Sequence, residues 1–345
     1  MILNKFVGLF SNDLAIDLGT ANTLVLVKGK GIIIDEPSVV AVKTEKNGQQ
    51  TILTVGKEAK DMVGKTPAQI RAIRPMRDGV IADFDMTEKM IRKFIEKVHG
   101  RKSLISPRVI ICVPYGLTQV ERKAVRESAM SAGAREVFLI EEPMAAAIGA
   151  GLDIRQPRGN LIVDIGGGTT EIGVTSLGGL VVSKSIRVAG DKLDESIVKH
   201  IRIKFNLLIG ERTAEQIKIN AGTALALDKD LTMTVNGRDQ VEGLLSTVEV
   251  TSEDIREAMK EPLKEIAEAL RSVLEEVPPD LAVDIVENGI ILTGGGALIR
   301  KLDQYLSNLV KIPVYVADEP LLAVARGTGK ALEEIDLLKQ LSSNE

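Results

Sequence analysis

The stretch Asn160-Leu161-Ile162-Val163-Asp164-Ile165-Gly166-Gly167-Gly168-Thr169-Thr170-Glu171 decides the reading of this chain. An apolar run of this length bounded by glycine is the pattern of a buried strand. Three consecutive glycines let the backbone turn tightly and bring bare N–H groups close to a ligand. Successive N–H groups in such a turn form a concave site for anions, phosphates above all. A carboxylate at the strand end repels phosphate but suits the water shell of a Mg²⁺ ion that neutralises it. A plain hairpin turn with an exposed Asp is the alternative.

The pattern occurs twice. Leu14-Ala15-Ile16-Asp17-Leu18-Gly19-Thr20 repeats it, with the two aspartates 147 residues apart. Each copy runs into a second apolar strand, Thr23–Val27 in the first and Glu171–Thr175 in the second. A repeat this long is a duplication of domains and not a solenoid period. Two such halves, each with an acid-tipped phosphate hairpin, can face one another across one cleft.

At 345 residues the chain has room for two domains. Its 44% hydrophobic and 27% charged content is that of a soluble globular protein. A net charge of −4 argues against broad electrostatic binding to nucleic acid, and no nucleic-acid partner is expected. No apolar run approaches the ~20 residues of a membrane span. There is no signal-peptide pattern, and the single cysteine, Cys112, permits no intrachain disulfide, so a reducing cytoplasm is expected. Only His99 and His200 are present, without ligand spacing, which disfavours a zinc site or a Ser-His-Asp triad.

Along the chain, Ile2, Leu3, Phe6, Val7 and Phe10 fall on one face at helical spacing. A helix too short to span the bilayer can lie in its interface, and Leu104 and Ile105 in a polar loop offer a second membrane contact. Packing on its own domain is the alternative for the first segment. Residues 31–74 read as short strands of an inserted subdomain, with an Asn47-Gly48 hairpin signal. Asp85–His99 reads as an amphipathic helix, Arg108–Pro114 as a strand, and Thr118 with Glu121 as a capping box. Glu142-Pro143 opens a helix just after a strand, where ligands bind in open α/β sheets. In the second half, residues 190–250 contain another insertion, with a turn expected at Asn236-Gly237. Ser252–Val277 reads as a long helix kinked at Pro262. Gly289–Leu298 is a third strand-to-glycine turn, and Val324–Leu332 a small-residue helix fit for close packing.

Together these residues resemble the actin-like ATPase superfamily, which includes actins, the seventy-kilodalton chaperones, sugar kinases and bacterial filament proteins. Asp17–Thr20 resembles its first phosphate loop and Asp164–Thr169 its second. Glu142–Gly149 resembles the first connecting helix, Thr293–Gly296 the adenosine loop, and Ala325–Gly329 the second connecting helix, all in family order. Within the superfamily, Ser11–Thr23, Ala72–Phe84 and Gly133–Pro143 are most similar to the bacterial actins that maintain rod shape.

The resemblance implies an α/β fold, actin-like (ribonuclease H-like) and duplicated. Domain I would span residues 1–150 and domain II residues 151–345, each with a smaller inserted subdomain, and the C-terminal helix would return to domain I. ATP and Mg²⁺ are the implied cofactors. Thr20, Ala21 and Asn22 would contact phosphate in one loop, and Gly166, Gly167, Gly168 and Thr169 in the other. Asp17 and Asp164 would hold Mg²⁺ through water. Glu142, assisted by Thr169, would polarise the attacking water. Glu215 and Lys218 would reach ribose and adenine, although three residues apart on a helix they could equally form a surface salt bridge. Gly294, Gly295, Gly296 and Ala297 would line the nucleotide pocket, with Gly190 and Asp191 close by. The implied function is a filament-forming, slowly hydrolysing ATPase, cytoplasmic and peripheral on the inner membrane face. Its implied partners are further copies of itself, membrane lipid, rod-shape membrane proteins and the cell-wall synthesis machinery. A small-molecule kinase would share the loops but needs an acceptor set and a catalytic Asp. A chaperone ATPase would need a peptide-binding domain after the second connecting helix.

Overall fold

Runs such as Leu14–Leu18 and Leu161–Ile165 are apolar at nearly every position, the composition of strands covered on both faces. In the computed structural model, which describes residues 13–45, 49–99 and 106–334, they are the central strands of two separate sheets. The chain divides into two units, one of residues 1–153 with 322–345 and the other of residues 154–321.

The first unit begins with β1 (Leu14–Leu18), β2 (Asn22–Val27) and β3 (Gly31–Pro37). β4 (Val40–Thr44), β5 (Gln50–Val55), α1 (Lys57–Met62) and β6 (Ile70–Ile73) follow. After the short pair β7 (Met76–Arg77) and β8 (Val80–Ile81) come α2 (Phe84–His99), β9 (Arg108–Val113) and α3 (Gln119–Ser131). β10 (Glu136–Glu141) then leads into α4 (Glu142–Gly149). The main sheet has the order β10-β9-β1-β2-β3, with β1 antiparallel to β2 and parallel to β9. One face packs Leu14, Ile16, Val109 and Ile111 against Met86, Met90 and Phe94 of α2 and Val125 and Ala129 of α3. Buried Asp13, just before β1, ties the start of that central strand to Arg108 at the start of β9, with the guanidinium 2.6 Å away.

In the second unit β11 (Asn160–Ile165), β12 (Thr170–Ser176) and β13 (Gly179–Ile186) form a meander, and α5 (Gly190–Phe205) follows. Next are β14 (Leu207–Leu208), α6 (Glu211–Ala221), β15 (Thr232–Asp239) and β16 (Leu245–Thr251). The unit is completed by α7 (Ser252–Glu276), α8 (Pro279–Asn288), β17 (Ile290–Thr293), α9 (Leu302–Val310) and β18 (Val314–Val316). Its main sheet has the order β13-β12-β11-β17-β18. β11 is antiparallel to β12 and parallel to β17, the same pairing as β1 with β2 and β9. The core places Leu161, Val163 and Ile165 against Leu193, Ile197 and Ile201 of α5 and Ile255, Met259 and Leu263 of α7. The last helix, α10 (Ala323–Glu333), belongs to the first unit, where it packs on α4, β1 and β9.

Two details differ from the sequence reading. Gly31–Pro37 is not part of an insertion: β3 pairs with β2 as the edge of the main sheet, and the inserted sheet is β5-β4-β6. Asn236-Gly237 is not a turn but the interior of β15, where Gly237 pairs with Ser246. A Cβ at Gly237 would stand 2.6 Å from the Leu208 carbonyl oxygen, so the glycine serves a close backbone approach. The chain reverses after β15, through residues 240–244, with Gly243 at φ 71°. Pro262 lies buried inside α7. The apolar N-terminal face (Ile2, Leu3, Phe6, Val7, Phe10), the loop pair Leu104 and Ile105, and the Asn47-Gly48 signal all lie outside the described residues.

Candidate nucleotide site

Each main sheet ends its first hairpin in the same way. In the first unit Asp17 closes β1, with Leu24 and Cys112 as its neighbours in register. In the second, Asp164 closes β11, with Glu171 and Thr293 beside it.

The β1–β2 turn, Gly19 to Ala21, is braced from outside. The Ser38 hydroxyl donates to the Gly19 carbonyl at 2.6 Å and pairs with the Thr23 hydroxyl at 2.9 Å. The Gly79 N–H donates to the Thr20 hydroxyl at 3.1 Å. A Cβ at Gly19 would sit 2.6 Å from the Asn22 carbonyl oxygen, which excludes a side chain there. The backbone N–H groups of Thr20 and Ala21 make no hydrogen bond among the described residues. Thr20 is buried, whereas Ala21 and Asn22 are exposed.

Glu142 is the first residue of α4, nine-tenths buried, where the positive end of the helix dipole favours a carboxylate. Its neighbour Glu141 turns to Arg122 of α3, with Oε1 and Nη1 3.0 Å apart. The pair thus divides, one carboxylate engaged by an arginine and the other at the helix start.

Three glycine stretches converge in the second unit on the end of β11. The Gly166 N–H closes the turn onto the Thr169 carbonyl at 2.9 Å. The N–H groups of Gly167 and Gly168 make no hydrogen bond among the described residues. The start of α5 abuts this turn: the Gly190 N–H donates to Gly166 and the Asp191 N–H to Gly167, at 3.1 and 2.8 Å. The third stretch, Gly294–Gly296, presses on Ile165. A Cβ at Gly294 would meet the Ile165 carbonyl oxygen at 2.3 Å, and one at Gly296 the Ile165 side chain at 2.2 Å. This stretch runs into a single 3-10 turn, Gly295–Leu298, which holds Ala297.

Asp164 is the electrostatic centre of this cradle. Burial pushes its carboxyl up to about 6. Its Oδ1 and the Thr293 hydroxyl oxygen are both buried without a hydrogen-bond partner. An acceptor kept dry and unsatisfied is costly unless a cation or a donor joins it. Mg²⁺ fits this donor set, because it keeps several waters and needs only one or two carboxylates beside phosphate oxygens.

On α6, Lys218 is no surface ion-pair partner of Glu215. Its ammonium donates to the Gly190 carbonyl and to Asp194 Oδ2, each at 2.9 Å. Asp194 is a residue the sequence reading missed. It lies one helical turn past Gly190 on α5 and is buried, with Oδ1 unpartnered. Burial drives its carboxyl up to about 6 although Lys218 pulls it down, with Glu215 and Asp191 adding to the rise. The spacing from Gly190 to Asp194 is the one available signal, and it has meaning only once α6 is known to pack on α5.

The duplicated sheets, each with a glycine turn after an aspartate-tipped strand, define an actin-like nucleotide-binding fold. Comparison with known proteins narrows the class. The MreB/Mbl protein family matches residues 11–340, and this chain belongs to that family. The cell shape-determining protein MreB of Escherichia coli K12 is 55% identical over 338 residues, 97% of each chain. The cell shape-determining protein Mbl of Bacillus cereus is 51% identical over 330 residues, covering 96% of this chain and 98% of its own. Among solved structures, MreB5 of Spiroplasma citri bound to ADP is 39% identical, with a TM-score of 0.89 over 94% of this chain and 97% of its own. The same protein bound to AMPPNP superposes with a TM-score of 0.90 at 38% identity, over 97% of this chain and 99% of its own.

Proposed function

We propose that this chain binds and slowly hydrolyses ATP with Mg²⁺, assembles into filaments of its own copies, and determines cell shape from the inner face of the membrane. The observation that carries the nucleotide reading is the convergence of the Gly166–Gly168 turn, Gly190 and Gly294–Gly296 at the end of β11, beside the unsatisfied carboxylate oxygen of Asp164. Relatives at 38–39% identity bound to ADP and AMPPNP support the choice of ligand. The cell-shape role follows the names of relatives at 51–55% identity.

In this reading the N–H groups of Gly167 and Gly168 donate to phosphate oxygens, as do those of Thr20 and Ala21, and the 3-10 turn Gly295–Leu298 lies against the nucleoside. Asp17 and Asp164 would hold the metal through its waters, and bound Mg²⁺ would neutralise charge on the transferring phosphoryl group. Phosphoryl transfer to water needs placement and charge stabilisation more than covalent help. Glu142, fixed at a helix start, orients the attacking water and accepts its proton, with the Thr169 hydroxyl assisting. Glu141, held by Arg122, leaves that task to its neighbour.

The test combines nucleotide titration with sedimentation. ATP is expected to bind only weakly without Mg²⁺, and Glu142→Ala to slow turnover about a hundredfold while leaving binding nearly intact. ATP is expected to move the chain into the high-speed pellet. No Mg²⁺-dependent ATP binding by the parent chain would overturn the reading, and loss of binding in Glu142→Ala would make that residue structural.

A further inference from the structure

We propose that Asp194 is a positioning residue of the nucleotide site: it clamps Lys218 so that the lysine presents one directed N–H to a neutral acceptor of the nucleoside, a sugar hydroxyl or a ring nitrogen. The inference rests on the reading that Lys218 touches the nucleoside. A lysine ammonium has three donors on a flexible four-carbon stem. Here two donors are spent, on the Gly190 carbonyl and Asp194 Oδ2, both at 2.9 Å. The third makes no hydrogen bond among the described residues.

Fixing such a stem costs rotamer entropy, up to about 2 kcal/mol, which an unclamped lysine would lose on binding and a clamped one has already lost. The clamp also changes what the lysine recognises. With Asp194 2.9 Å away, its charge is locally cancelled, so it acts as a directional donor and no longer as a point charge for phosphate. The phosphate-binding task falls to the open N–H groups of Gly167 and Gly168, next to Gly190. The arrangement is expensive: Asp194 is 8% exposed and keeps Oδ1 buried without a partner. Burying a half-satisfied carboxylate lowers stability, the kind of concession found where geometry serves a site.

The experiment is a double-mutant cycle on ATP affinity in the full chain with Mg²⁺, using Asp194→Asn, Lys218→Gln and the pair, with thermal unfolding as the fold control. Asp194→Ser stands in should Asp194→Asn unfold. Asp194→Asn is expected to weaken ATP binding roughly tenfold. The double variant should be no weaker than Lys218→Gln alone, because Asp194 acts only through the lysine. Mg²⁺-tripolyphosphate should compete with equal strength in the parent and Asp194→Asn. Unchanged ATP affinity in Asp194→Asn, additive losses, or an equal loss of tripolyphosphate binding would each overturn the proposal. Absence of ATP binding in the parent chain is a different result, which removes the nucleotide reading and this inference with it.

Discussion

Asp164 is held in a state its chemistry resists, and that tension is measurable. Its ordinary value of 3.8 rises to about 6 in the fold because burial disfavours the charged form. The folded protein therefore binds its proton more tightly than the unfolded chain does. The sign follows: this group's contribution to stability is best below about pH 4, declines as pH rises, and bottoms out above about pH 6. At neutral pH the cost is on the order of 3 kcal/mol. Asp194 shifts in the same direction from the same dominant cause. The ligand-free protein should therefore unfold at a higher temperature at about pH 5 than at about pH 7, as far as these two acids govern it. Asp164→Asn should raise the neutral-pH midpoint by several degrees, flatten the pH dependence, and abolish Mg²⁺-dependent ATP binding. A variant that is less stable yet binds normally would remove Asp164 from the metal site. The places of Asp17 and Asp164 near the ends of β1 and β11 were legible in sequence because strand, acid and glycines are contiguous. The place of Asp194 was not, since its partner is 24 residues away on another helix.

α4 and α10 pack backbone to backbone through glycines. A Cβ at Gly149 would stand 1.7 Å from the Ala323 carbonyl oxygen, and one at Gly327 would stand 1.7 Å from that of Ala145. Both obstacles are backbone, so no side chain can step aside. Gly149→Ala and Gly327→Ala should each destabilise the chain by about 3 kcal/mol or more, at the upper end of overpacking costs. Because α4 begins at Glu142, surviving variants should lose ATP turnover faster than ATP binding. Chemical denaturation and single-turnover assays check both statements, and a neutral Gly327→Ala would show that the two helices can move apart. Capping is gentler. Thr118 and Glu121 bond reciprocally at the start of α3, so Thr118→Ala should cost about 1 kcal/mol in the same denaturation measurement. Such elements were readable from local rules: a capping box, an apolar helical face, a glycine–alanine helix. Asn236-Gly237 was misread because a glycine signals a turn and a close approach alike, and Gly31–Pro37 because a strand's own residues do not say which sheet it joins. Only the neighbouring strand, β14 in the first case and β2 in the second, settles it.

The largest feature was also the most legible, since the 147-residue repeat reappears as two sheets of matching order and hand of pairing. The proposed assembly on a membrane would be a property of many copies. No helix of the described residues is long and apolar enough to cross a bilayer. The proposed contact is the apolar set Ile2, Leu3, Phe6, Val7 and Phe10, accompanied by a single lysine, Lys5, in a chain of net charge −4. Electrostatic attraction to anionic lipid is therefore weak, and buried apolar area has to supply the binding. One short segment of this kind binds marginally, whereas a filament presents many in a row and each bound copy raises the effective concentration of the next. Vesicle binding should then require ATP-driven assembly, persist at high salt where screened charge pairs would fail, and vanish on deletion of residues 1–10. The deleted chain should still pellet with ATP when no vesicles are present. Co-sedimentation across a salt series decides this. Vesicle binding that collapses with salt, or that persists without assembly, would replace apolar avidity with a charged or monomeric contact.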